Sequence, residues 1–354
     1  MTIRPRVGRL HGRARIRSPR AVHRTPGGPP HANGPRRRYA SDVIADRLDL
    51  APAVADALRD GRPVVALEST LISHGLPHPR NLEVARAAEA AVAASGAVPA
   101  TIAIHEGRIL VGLDDASLET LAIAAPGTVR KAARHSLAAA LAERGWAATT
   151  VSATMIAAHV AGIRVFATGG IGGVHRGALG GPGAERATFD ISSDLEELAR
   201  TPMAVVCAGP KAILDVPATL EYLETRGVPV VAVGQAELPG FYARSLGVAA
   251  PETVADLAAA AELVETHLGL GGGTAIAVCL PVPEADALPA PVARDAIERA
   301  IGEAAVARLE GPAVTPWLLA RVAELTDGLA VRANTSLIVN DARFAGLLAA
   351  RLAG

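Results

Sequence analysis

Residues 203–215 read Met-Ala-Val-Val-Cys-Ala-Gly-Pro-Lys-Ala-Ile-Leu-Asp. The apolar run Met203–Ala208 has the composition of a strand, and Gly209-Pro210 ends it. Ala218–Arg226 then carries a helical pattern, so the unit is strand, turn, helix. Lys211 lies three residues beyond the apolar run. In open α/β sheets ligands bind past the carboxyl ends of strands. The residue is also scarce: of 35 Lys and Arg residues only Lys131 and Lys211 are lysine. Arginine stays protonated and cannot offer a nucleophilic amine, whereas a lysine can once its amine is neutral. A surface lysine that escaped replacement would look the same at this level.

The same alternation continues along the chain. Pro63–Glu68, Thr101–His105, Ile109–Leu113, Val165–Gly169, Ala204–Ala208, Pro229–Val233 and Ala275–Leu280 read as strands. Helices are expected over Leu82–Ser95, Val151–Val160, Asp194–Arg200, Ala218–Arg226, Val254–His267, Val292–Leu309, Pro316–Leu325 and Thr335–Leu352. Glu106-Gly107-Arg108 reads as a hairpin turn. Ser193 with Glu196 has capping-box spacing, and Thr315-Pro316 reads as an N-cap followed by a first-turn proline. Alternating strands and helices argue for a sheet with helices on both faces.

Half of the 354 residues are hydrophobic but only 3% are aromatic, so the core must be built from Ala, Val, Leu and Ile. No apolar run reaches ~18 residues, the length of a membrane span. Cys207 and Cys279 lie in apolar runs, which suits a reducing cytoplasm better than a disulfide framework. The formal charge of zero hides an asymmetry: residues 1–40 carry 11 arginines and no acid, and the remainder nets −11. An acidic body does not favour nucleic acid as a partner. Residues 1–40, rich in Arg, Pro and Gly, read as a disordered, dispensable extension or an overlong gene start, with 41–354 as one domain. A transit peptide and a polyanion-binding arm are the other readings.

Several further residues could carry chemistry. Glu68 ends the strand from Pro63; desolvation there would raise its pKa and suit a general acid, although an exposed strand-end acid is the plainer reading. Lys131 precedes an Ala-rich helix, and a helix start beside Arg130 and Lys131 would suit a phosphate, or be a solvated basic patch. Gly169-Gly-Ile-Gly-Gly-Val-His175 follows a strand and could bring backbone N–H groups to an anion. It matches neither the dinucleotide fingerprint nor the phosphate loop, and a glycine-rich turn explains it equally. Asp190 and Asp194 flank Ile191-Ser192-Ser193, a set suited to a hard cation, a sugar phosphate or simple helix capping.

Taken together, these stretches resemble the pseudouridine-5′-phosphate glycosidase family. The resemblance rests on Ala66–Pro79 (ALESTLISHGLPHP), Pro99–Ile104, Thr149–Met155, Gly162–Arg176 (GIRVFATGGIGGVHR), Phe189–Asp194, Cys207–Asp215 and Thr219–Thr225. It runs from about residue 45 to the C-terminus. It implies a three-layer α/β/α sandwich with a central mixed sheet, a cytoplasmic homotrimer, and one Mn²⁺ (or Mg²⁺) per subunit. The activity implied is reversible cleavage of pseudouridine 5′-phosphate to uracil and ribose 5-phosphate, as a lyase-type C-glycosidase of nucleotide catabolism. Residue by residue, it puts the lysine nucleophile at Lys211, the general acid at Glu68 and the metal aspartate at Asp190. Substrate contacts would be Lys131, Val151, His175, Ser192, Ser193, Asp194 and Asn334.

Three stretches depart from the family pattern: Ala133-Arg134-His135-Ser136, Leu280-Pro281-Val282-Pro283, and an inserted-looking Leu179–Glu185. They bear on metal and phosphate contacts more than on the reaction. A C–C glycosidic bond has no heteroatom leaving group to protonate, so simple two-carboxylate hydrolysis has no purchase on it. An amine that forms an imine at C1′ solves that difficulty.

Overall fold

The apolar runs become strands because every residue in them loses its water. Val64–Leu67, Ala204–Cys207, Val230–Val233 and Ile276–Cys279 are buried at all positions, as parallel strands covered on both faces must be. A computed structural model describes residues 40–180, 186–309 and 314–354. The expectations for residues 1–39 and 181–185 lie outside the described residues.

In chain order the strands are β1 (Leu48–Leu50), β2 (Val64–Leu67), β3 (Val98–His105), β4 (Arg108–Val111), β5 (Arg130–Ala132) and β6 (Ala147–Thr149). They continue with β7 (Val165–Ala167), β8 (Ala204–Cys207), β9 (Val230–Val233), β10 (Glu252–Val254) and β11 (Ile276–Cys279). The sheet order is β1-β4-β3-β2-β7-β8-β11-β9-β10, and β6 pairs with both β3 and β5. The β3–β4 and β3–β6 pairings are antiparallel; the others among the described residues are parallel. The β3–β4 turn is the expected hairpin, with Glu106 at φ 52° and Gly107 at φ 77°. Two positive φ values match the right-handed twist of the flanking strands.

Side chains alternate across the sheet and divide the core in two. Val65, Leu67, Val206 and Val278 face helices Arg80–Ala94, Leu257–Gly269, Ala290–Val306 and Leu329–Ala353. Val64, Ala66, Val205 and Ala277 face helices Pro52–Arg59, Val151–Ala161 and Ser193–Leu198. This is the expected three-layer α/β/α arrangement on a mixed sheet, and the described residues form one compact unit. Small residues let the helices come close. A Cβ on Gly346 would lie 2.6 Å from the Ser95 Cβ, where Ser95 Oγ donates to the Arg343 carbonyl at 3.0 Å.

Local expectations needed correction where tertiary contacts override pattern. Lys131 sits on β5, not at a helix start; the Ala-rich helix begins only at Leu137. The cap of Ser193–Leu198 is Ser192, whose hydroxyl accepts from the Asp194 N–H. Asp256 caps the helix at Leu257, and Val254 closes β10 instead. Helix Val314–Leu325 already contains Thr315.

One core residue is anomalous. Asp341, on the longest helix, is fully buried, and neither carboxyl oxygen has a hydrogen-bond partner among the described residues. Burial pushes its carboxyl well above the ordinary value. A group neutral when folded and ionised when unfolded contributes stability that is present below the unfolded pKa and lost as pH rises toward the folded one. Asp341→Asn is neutral at every pH. It should be more stable than the parent at pH 8, where ionisation of Asp341 in the unfolded parent favours unfolding. The gain should shrink toward pH 5. Urea unfolding at both pH values measures it, and an equal effect at both would exclude titration as the cause.

Candidate active site

Three strand ends meet at one cavity. Glu68 follows β2, Thr168 follows β7, and Lys211 follows β8 after the Gly209-Pro210 turn. These strands are adjacent and parallel, with Leu67 opposite Ala167 and Ala167 opposite Val206. Glu68 and Thr168, each one residue past its strand, therefore emerge side by side, and the Gly209-Pro210 turn brings Lys211 to the same end of the sheet. Lys131 comes in from β5 and Asn334 from the helix Leu329–Ala353. The cavity, about 130 Å³, is lined by all five of these residues, by His74, and by an apolar wall that includes Ala85, Ala88, Leu319 and Ile338.

Lys211 is half-buried. Its Nζ donates to the Gly170 carbonyl at 2.8 Å, and its backbone N–H donates to Ile171 O at 3.1 Å. Gly170 has no room for a side chain: a Cβ would lie 3.0 Å from the Gly209 carbonyl and 2.6 Å from the Phe241 ring. Glu68 accepts a hydrogen bond from the Thr168 hydroxyl. Burial pushes its carboxyl above the ordinary value; the Lys211 cation, that hydroxyl and Lys131 oppose this, and Asp194 adds to it. Lys131 keeps one side open to solvent. Partial burial, then the Lys211 cation, holds its ammonium below the ordinary lysine value, against the pull of Glu68 and Asp194.

The remaining expected residues form an adjoining cluster around the glycine loop and do not line the cavity. Asp194 is buried and already committed: Oδ1 accepts from Ser152 N and Oδ2 from Gly172 N, both at 3.0 Å. A Cβ on Gly172 would lie 2.8 Å from that carboxylate. The anion held by the glycine loop is thus the protein's own. Ser193 Oγ lies 3.2 Å from Ser152 Oγ. Val151 turns its side chain into the core, leaving only its backbone, at the first helical position, for a ligand. His175 N–H donates to the Asp190 carbonyl at 3.0 Å, and its Nδ1 lies 3.9 Å from Asp190 Oδ2. Burial, with Lys211 and Lys131 adding, holds the His175 imidazole below its usual value in spite of Asp190.

No group of three or more His, Cys, Asp and Glu side chains gathers as a metal site among the described residues. Asp190 offers an exposed carboxylate with His175 beside it. That donor set suits a hard ion held by one carboxylate and several waters, and does not suit a soft or fully caged one. Of the departures, Arg134 pairs with the buried Glu197 and gives its backbone N–H to Ser152 Oγ at 3.1 Å. It is structural and not free for a phosphate.

Two cavity residues escape a reading of the sequence alone. Thr168 is betrayed only by register, since it stands one past β7 as Glu68 stands one past β2. His74 lies inside the 66–79 segment; Ser73 Oγ meets its Nδ1 at 2.7 Å, and burial followed by the Lys131 cation lowers its pKa.

Comparison with known proteins places the whole domain in a family. The family model described as indigoidine synthase A like protein matches residues 53–351. A pseudouridine-5′-phosphate glycosidase of Solibacter usitatus is 54% identical over 86% of this chain and 99% of its own length. The Paracoccus denitrificans protein of the same name is 52% identical over 86% and 98%. Among solved structures, the prealnumycin C-glycosynthase AlnA, in complex with ribulose 5-phosphate, superposes with a TM-score of 0.78 at 38% identity, covering 86% of this chain and 97% of its own. An indigoidine synthase A-like protein from Thermotoga maritima gives 0.75 at 32% identity, covering 87% and 97%. The chain belongs to the family of the pseudouridine-5′-phosphate glycosidases, described by the indigoidine synthase A like model.

Proposed function

We propose that this protein cleaves, and in reverse forms, the C–C glycosidic bond of pseudouridine 5′-phosphate. The observation that carries the reading is one cavity holding a raised-pKa carboxyl, Glu68, together with two lysines, Lys131 and Lys211. Glu68 protonates the ring oxygen as the sugar opens, and the neutral Lys211 amine adds to C1′. Uracil C5 takes up a proton as the C1′–C5 bond breaks, leaving uracil and a lysine imine of ribose 5-phosphate. Water hydrolyses the imine, so the sum is substrate plus water giving uracil plus ribose 5-phosphate. Lys131 supplies charge beside the reacting centre, and Asn334 supplies an amide that can read a nucleobase edge. Incubating the protein with pseudouridine 5′-phosphate should release uracil and ribose 5-phosphate in equal amounts. Release of neither would reject the reading, and a different aglycone preference would move it to another C-glycosidic substrate.

The same reading includes Mn²⁺ or Mg²⁺ held by Asp190 with His175 beside it, a homotrimer, and a cytoplasmic location. The family resemblance supports these, together with the exposed Asp190 carboxylate. A hard ion there would neutralise substrate phosphate charge. Chelation should abolish activity and Mn²⁺ restore it; full activity of metal-stripped Asp190→Ala would exclude the role. No helix among the described residues is long and apolar enough to cross a membrane.

A further inference from the structure

We propose that Thr168 is the positioning residue of the acid Glu68, fixing which carboxyl oxygen carries the proton and stabilising the carboxylate left after proton transfer. The inference rests on the reading of Glu68 as general acid given above. Three observations on geometry support it. Glu68 and Thr168 are the first residues beyond two parallel strands paired in register, Leu67 opposite Ala167. The Thr168 backbone is pinned to the next strand, its N–H donating to Val206 O at 3.0 Å. Its hydroxyl, in a residue only 5% exposed, donates to Glu68 Oε1 at the wall of the cavity that also holds Lys211.

The chemistry follows from the direction of that bond. An oxygen that accepts from a hydroxyl behaves as the carbonyl oxygen of the acid. The transferable proton then resides on Oε2. Once the proton has gone, the bond to Oε1 becomes charge-assisted and therefore stronger. Thr168 thus favours the state that the proton transfer produces. It also works against the burial that raises the Glu68 carboxyl, alongside Lys211 and Lys131 and against Asp194.

The sign is definite. A donor to the carboxylate favours the ionised form, so removing it raises the Glu68 pKa and keeps the acid protonated to higher pH. In Thr168→Val, which keeps shape but loses the donor, the alkaline limb of kcat/KM should move up by about one pH unit. The plateau of kcat should fall by roughly 10–100-fold, because the acid is no longer held in line. KM should change little. Thr168→Ser should return the limb and most of kcat. An infrared titration of the carboxyl band in the free protein, with Glu68→Gln as the blank, follows the same ionisation without turnover.

An unmoved limb and carboxyl band in Thr168→Val would overturn the inference, as would a Thr168→Ser variant that behaves like Thr168→Val. Loss of kcat with an unmoved limb would assign Thr168 to packing alone. If the unmodified protein releases no uracil, the failure lies with the proposed reaction; if it does and the limb stays put, the failure lies with Thr168.

Discussion

Lys211→Arg should fold, bind phosphate and lose roughly 10⁴-fold or more in turnover, since it removes the nucleophile and leaves the positive charge. The change is small in volume, and the acceptor of Nζ, the Gly170 carbonyl, can equally take a guanidinium N–H. Any large loss therefore reports the chemistry of the amine. Borohydride added with ribose 5-phosphate should trap the imine as a secondary amine on the Lys211 peptide, heavier by one open-chain pentose phosphate. The matching change at Lys131 should mainly raise KM, because a contact to a charged substrate needs charge rather than a neutral nitrogen. An adduct on Lys131, or wild-type turnover in Lys211→Arg, would remove the proposed mechanism.

The second large effect concerns Glu68. Glu68→Gln keeps an acceptor for the Thr168 hydroxyl but has no transferable acid proton. It should cost roughly 10²–10⁴-fold in kcat, the usual worth of a positioned acid. It should also abolish the alkaline limb of the pH profile. Burial holds this carboxyl above its ordinary value, so the parent should keep the acid form at pH values where a solvated glutamate has lost it. Activity should then fall as pH rises through the raised value. An unchanged limb in Glu68→Gln would mean that another group sets it. Borohydride trapping with ribose 5-phosphate should survive in this variant, because imine formation with the product sugar does not involve opening the nucleoside ring. That separates damage to the acid from damage to Lys211.

What could be read from the residues in order was whatever local composition encodes. Fully buried parallel strands are short apolar runs, so β2, β7, β8, β9 and β11 were visible, and the turns that end them put Glu68 and Lys211 at carboxyl ends. Helices over three turns long showed for the same reason. The strands β1, β5, β6 and β10 did not: unlike the equally short β7, they contain no run of large apolar side chains, and their pairing depends on distant partners. Lys131 was accordingly assigned to the wrong element while its importance was seen.

Strand order was a tertiary decision. Only the β2-β7-β8 adjacency sets Glu68, Thr168 and Lys211 in a row, across sequence separations that no local pattern spans. The same holds for Asp194. Its sequence neighbours suggest a ligand for cation or sugar phosphate, but in the fold its carboxylate is occupied by the N–H groups of Ser152 and Gly172. Residue types limited which chemistry was possible here. Packing of distant segments determined which of those residues face the cavity, which are desolvated, and which are already bound to the protein itself.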